Sequence, residues 1–110
     1  MAKIFLESFA DDDKRNILEV SMDEPLTISD ILLTCKIPQT SGYRKINYLI
    51  ENGLLMVNGL TISIDGKKIH KYQTIFNNIK MDIEKKNIVV KVQLKKNPMI
   101  DSSILQIIQY

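Results

Sequence analysis

A chain of 110 residues with 45% hydrophobic and 25% charged residues has the size and balance of one folded domain; this excludes a two-domain enzyme built around an inter-domain cleft, and also a disordered or collagen-like polymer. The formal charge of +2 is a sum of opposites. Residues 1–36 carry four basic and eight acidic groups (net −4), residues 37–97 eleven and four (net +7), and residues 98–110 a single acid (net −1). An asymmetry of that size suits an anionic partner for the middle of the chain, or a solvated basic face.

Two short amphipathic helices are expected first, over Lys3–Phe9 and about Asp13–Met22, with Ile4, Phe5, Phe9 and then Ile17, Leu18 and Val20 as their apolar positions. Asp11, Asp12 and Asp13 open the second, where carboxylates complement the helix dipole and need no metal to explain them. Pro25 breaks the chain before Thr27, an expected N-cap with Asp30 three residues on, and Ile28, Ile31 and Leu32 carry a helical stripe to about Lys36. After the short turn Ile37–Thr40 comes the best-defined helix, from about Thr40 or Ser41 to Asn52. Ile46, Leu49 and Ile50 face inward, Tyr43, Arg44 and Asn47 outward, and Gly53 takes the left-handed C-terminal position.

The hydrophobic period then falls to two. Leu54–Val57, Leu60–Ile64, Lys68–Ile75, Ile79–Ile83 and Ile88–Leu94 read as strands, with Asn58-Gly59, Asp65-Gly66 and Lys85-Lys86-Asn87 as hairpin breaks. Beyond Pro98, the spacing of Ile100, Ile104, Ile107 and Ile108, with Leu105 beside them, predicts one apolar helical stripe over 98–110.

The expected fold class is therefore α+β: a winged helix-turn-helix with an extended β-hairpin region and a C-terminal helix, forming one domain over residues 1–110. Its parts are N-terminal helices over 1–24, a helix-turn-helix over 27–53, a wing and an extra hairpin over 54–95, and a dimerisation helix over 98–110. In such a layout the second helix enters the DNA major groove, and its early side chains must reach base edges and phosphates. Gln39, Thr40, Ser41, Tyr43, Arg44 and Asn47 supply amide, hydroxyl and guanidinium groups for that task.

The stretch TISDILLTCKIPQTSGYRKINYLIENGLL, Thr27 to Leu55, resembles the core of the ArsR-like and TrmB-like winged helix transcriptional regulators common in archaea. The matching residues are Ile37, Pro38, Thr40, Ser41, Tyr43, Arg44, Leu49, Gly53, Leu54 and Leu55. The segment DGKKIHKYQ is similar to the descending half of that family's wing, so the resemblance covers roughly residues 13–76. It implies that Gln39, Thr40, Ser41, Tyr43 and Arg44 belong to a recognition helix and that Lys67, Lys68, His70 and Lys71 lie on or beside the wing. Gly42 departs from the pattern, which has a small apolar residue facing the core; either the helix starts later or another backbone packs closely there.

The family includes metal sensors, but Cys35 and His70 are the only thiol and imidazole in the chain. No metal site and no cofactor are expected, and Cys35 reads as a buried structural residue. One histidine between lysines, with no nucleophile motif and no phosphate-binding glycine loop, argues against an enzyme. The lone cysteine and the lack of a signal sequence make a reducing, cytoplasmic setting the expectation. No apolar run approaches the roughly 18 residues of a membrane span.

The expected function is that of a sequence-specific double-stranded DNA-binding transcriptional regulator. A homodimer is expected through the first and last helices, with Ile4, Phe5, Phe9, Ile100, Ile104, Leu105, Ile107 and Ile108 in the interface. The alternatives are a winged-helix protein-interaction module of a transcription or chromosome-associated assembly and, third, an RNA-binding winged helix.

Overall fold

Helices occupy the first half of the chain and strands the second in the computed structural model, which describes residues 2–95 and 105–109. The helices are α1 (Ala2–Ala10), α2 (Asp12–Val20), α3 (Ile28–Cys35) and α4 (Gln39–Glu51); the strands are β1 (Leu55–Ile62), β2 (Lys68–Thr74), β3 (Phe76–Glu84), β4 (Asn87–Leu94) and β5 (Leu105–Gln109). This is an α+β arrangement with two small antiparallel sheets, β1-β2 and β3-β4-β5, and it is compatible with a winged helix.

The helix boundaries follow from local chemistry. Asp11 caps α2, its carboxylate accepting the Lys14 N–H at 3.1 Å, and Thr27 caps α3 by accepting the Asp30 N–H at 3.1 Å. Lys36 ends α3 in the left-handed region at φ 57°, and the Ile37 N–H turns back to the Leu32 carbonyl at 3.0 Å. That closure brings α4 in after only three residues. Gly42 sits on α4's inner face, where a Cβ would run into Leu32 and lie 3.2 Å from Ile37 Cγ2. Side chains of α3 and the following turn, and not another backbone as expected, therefore account for the glycine.

Ile17, Leu18, Ile31, Leu32, Ile46 and Leu49 from the helices, Leu54 just before β1, and Leu55, Phe76, Val90 and Val92 from the strands form one core. Two polar ties fix the β1-β2 hairpin to the helices. The buried Thr74 hydroxyl donates to the Leu18 carbonyl at 2.7 Å, and Leu26 exchanges backbone hydrogen bonds with Tyr72 at 3.0 and 2.8 Å.

Two expectations are corrected. Asn58-Gly59 does not make a hairpin: β1 runs through it, with Asn58 and Gly59 together opposite Lys71, between the pairs Val57↔Tyr72 and Leu60↔His70. Gly59 takes φ +112° for this bulge, and the extra residue keeps Val57, Leu60 and Ile62 on one face when a plain strand would alternate them. Asp65-Gly66 is the true turn, with Lys67 N–H reaching the Ser63 hydroxyl at 3.0 Å. At the far end, 105–109 is a strand, with five residue pairs to β4, where a helix was expected. The helical spacing of its isoleucines competes with a two-residue alternation in Leu105-Gln106-Ile107. β4 decides the contest: β3 occupies one of its backbone edges, and pairing with the other edge satisfies the backbone of 105–109 as a strand. Ile100 and Ile104, and the expected helix start at Pro98, lie outside the described residues.

Candidate nucleic-acid interface

Helix α4 presents one exposed polar stripe because its opposite face is fixed in the core by Gly42, Ile46 and Leu49. Gln39, Thr40, Tyr43, Arg44 and Asn47 are exposed on that stripe, Tyr43 to 42%. Ser41 is half-buried and its hydroxyl faces the Pro38 carbonyl at 3.4 Å, so it is partly committed to the helix start.

The next residue along the basic run, Lys45, faces the other way. Its ammonium binds Asp11 at 3.2 Å and Asp13 at 2.9 Å, joining α4 to the start of α2. Burial alone would raise the Asp11 pKa, but hydrogen bonds from the Lys14 N–H and from Lys45, with the Lys45 charge, outweigh it and hold the carboxyl below its ordinary value. The hydrogen bond to Asp13 above all, and then Asp11, lift Lys45 above the usual lysine value against its burial. Tyr48, one turn on, donates to Glu7 at 3.2 Å and carries the Lys14 ammonium 3.6 Å from its ring centroid. Burial, then the Glu7 hydrogen bond and charge, raise its phenol. These contacts make the inner edge of α4 structural.

On the hairpin, Lys68 and His70 share the face of Val57, Leu60 and Ile62, while Lys71 takes the opposite face and stretches past the Gly59 bulge. Lys67 lies in the turn at 3.8 Å from Asp65, an exposed pair that costs little to exchange for another anion. The hairpin also exposes much apolar surface at Val57, Leu60, Ile62 and, most fully, Ile64.

A shallow groove of about 240 Å³ joins the two elements. It is lined by Tyr43 of α4, by Lys68, Ile69, His70 and Tyr72 of β2, and by Ile28 and Ser29 at the start of α3. Tyr43, Lys68 and His70 are thus brought together as their assignment to one site requires. Gln39 instead borders a larger, mainly apolar hollow of about 530 Å³ with Leu32, Leu33, Lys36, Ile37 and Pro38. Arg44 borders a third, of about 250 Å³, with Asp11, Lys14, Lys45 and Tyr48. Sequence reasoning does not reach Ile28, Ser29 and Tyr72. The alternation of Tyr72 with His70 on β2 could have found the tyrosine, whereas the α3 residues arrive only through tertiary packing.

The residues expected at a dimer interface are placed as follows. Phe5 is 3% exposed and its ring meets Phe76 edge-on at 5.9 Å; Phe9 meets the same ring, tilted, at 5.9 Å; Ile4 is half-buried against the core. Leu105, Ile107 and Ile108 lie on β5, the outermost strand of its sheet among the described residues.

Among the described residues, no three His, Cys, Asp or Glu side chains gather as metal ligands, and no helix is long and apolar enough to cross a membrane. Cys35 is half-buried, not fully buried, and burial, followed by the charges of Asp13 and Glu19, raises its thiol pKa. No protein-family model, curated protein or solved structure matches the chain.

Proposed function

We propose that the chain is a winged helix-turn-helix that binds double-stranded DNA sequence-specifically as a transcriptional regulator, of the ArsR-like and TrmB-like kind, with the outer stripe of α4 in the major groove. One observation carries this reading: the polar face of α4 is open while its other faces are fixed in the core and against α2, and Tyr43 on it shares a groove with Lys68 and His70 of the hairpin. Exposed amide and guanidinium groups at Gln39, Asn47 and Arg44 suit base edges; Thr40, Tyr43 and the hairpin cations suit phosphates.

The proposed regulator acts as a homodimer. With Phe5 and Phe9 turned into the chain's own core, the backbone edge of β5, unpaired among the described residues, suits a second copy, which would extend the β3-β4-β5 sheet across a two-fold axis.

Selection of bound duplexes from a random pool tests both parts. Enrichment of a palindrome with half-sites about 34 Å apart is the expected result. Enrichment of a single unrepeated site would remove the dimer, and no enrichment would remove sequence-specific recognition.

A second reading has its own support. The exposed apolar face Val57, Leu60 and Ile62, with Ile64 beyond it, fits a protein-interaction module better than a groove-reading wing. It predicts no steep salt dependence of duplex binding, which the first reading requires.

A further inference from the structure

Beyond the wing, the β3-β4 hairpin sets two lysines directly opposite each other. Lys80 pairs with Lys91 in register, and the next pair on the same face is Asn78 with Gln93. Residues directly opposite on antiparallel strands have Cβ atoms about 5 Å apart, and like charges so placed destabilise a sheet. Among the described side chains, no carboxylate lies within 4.0 Å of either ammonium to relieve the repulsion. Among the described side chains, these four line a hollow of about 190 Å³. Two lysine and two carboxamide side chains therefore border one small concavity, and their ammonium and NH2 donors suit a tetrahedral oxyanion.

The next position on the same face of β3 is Asp82, opposite Val89 and about 7 Å along the strand from Lys80. A carboxylate there disfavours a doubly charged free phosphate more than a singly charged diester. We propose that the Lys80–Lys91 pair, flanked by Asn78 and Gln93, is a phosphodiester-binding patch that gives the duplex a backbone contact outside the helix and wing. The patch rests on the duplex-binding reading above, and it carries no sequence information of its own.

Binding of a labelled duplex to the full chain, followed by fluorescence anisotropy from about 50 to about 200 mM salt, tests it. Lys80→Gln/Lys91→Gln should reduce the log–log slope by about 0.9 if both lysines close on one phosphate, or by about 1.8 if each holds one. The variant removes a like-charge opposition, so it should melt no lower than wild type, which separates lost binding from lost fold. Lys85→Gln/Lys86→Gln, which removes the same charge at the hairpin tip, should change the slope less. A steep wild-type slope left unchanged by Lys80→Gln/Lys91→Gln would overturn the patch and leave the duplex reading standing. Equal changes in the two double variants would reduce the effect to net charge and overturn it as well. No salt-dependent binding by wild type would remove both readings. Inorganic phosphate is the second arm: if it raises the melting temperature of wild type but not of Lys80→Gln/Lys91→Gln at equal ionic strength, the patch serves free phosphate and the diester assignment is wrong.

Discussion

Replacing Phe5 with alanine tests whether α1 belongs to the chain's own core or to an interface between copies. The ring is 3% exposed and packs edge-on against Phe76, itself fully buried, at a centroid distance of 5.9 Å. A Phe→Ala change in a core costs about 3–5 kcal/mol, lost burial and residual cavity together. The lower end applies here, because Ile4 and Leu6 on the same helix are only half-buried and can relax toward the space. The expected loss is therefore about 3 kcal/mol, a large part of the typical 5–15 kcal/mol of a small domain. It corresponds to a fall in melting temperature of roughly 12–20 °C. Denaturant titration should show a lower midpoint with an unchanged slope, at any protein concentration. A loss under about 1 kcal/mol, or one that grows on dilution, would refute the intrachain packing and return Phe5 to the dimer interface.

Further outcomes follow from the same geometry. Lys45→Met should destabilise the chain by about 1 kcal/mol, with a coupling to Asp11→Asn in a double-mutant cycle, as fits a partly exposed ion-pair network. Asp11 has a lowered pKa, so its contribution is fully present above its unfolded value of about 4 and is lost as pH falls through the folded value. Lys45 has a raised pKa, so its contribution holds below about 10.4 and is lost as pH rises through the folded value. The stability gap between wild type and Lys45→Met, measured by urea titration, should thus be level from about pH 5 to 9 and narrow below about pH 4. Ser21→Ala should stabilise by about 1 kcal/mol in thermal melts, since the buried hydroxyl has no partner among the described residues. Lys86→Gly should also raise the melting temperature, by the equivalent of about 1 kcal/mol, because Lys86 holds φ 68° in a two-residue turn that favours glycine.

The helices were legible because their signals are local. Asp11 and Thr27 act within three residues, and the Ile46–Leu49 spacing determines which face of α4 turns inward. Asn58-Gly59 misled because the same dipeptide serves a turn or a bulge, and only the pairing of β1 on both sides of it with one strand distinguishes the two. The terminal strand misled for a related reason: five residues cannot distinguish a period of 3.6 from one of two, and the open side of β4 made the choice. At the candidate site, Tyr43, Arg44, Lys68 and His70 are exposed as their positions implied. Capture of Lys45 by carboxylates 34 and 32 residues away, and of Phe5 and Phe9 by Phe76, depends on contacts that periodicity does not encode.

The most direct test of duplex recognition by α4 and the hairpin is a titration of the 15N-labelled chain with a selected duplex, read residue by residue. The account predicts the largest shifts at Tyr43, Arg44, Asn47, Lys68 and His70, with the buried Ile31 and Leu49 little moved. Shifts confined to Val57, Leu60 and Ile62 or to the hollow around Leu33 and Pro38, with Tyr43, Arg44 and Asn47 unmoved, or no shifts at all, would contradict it.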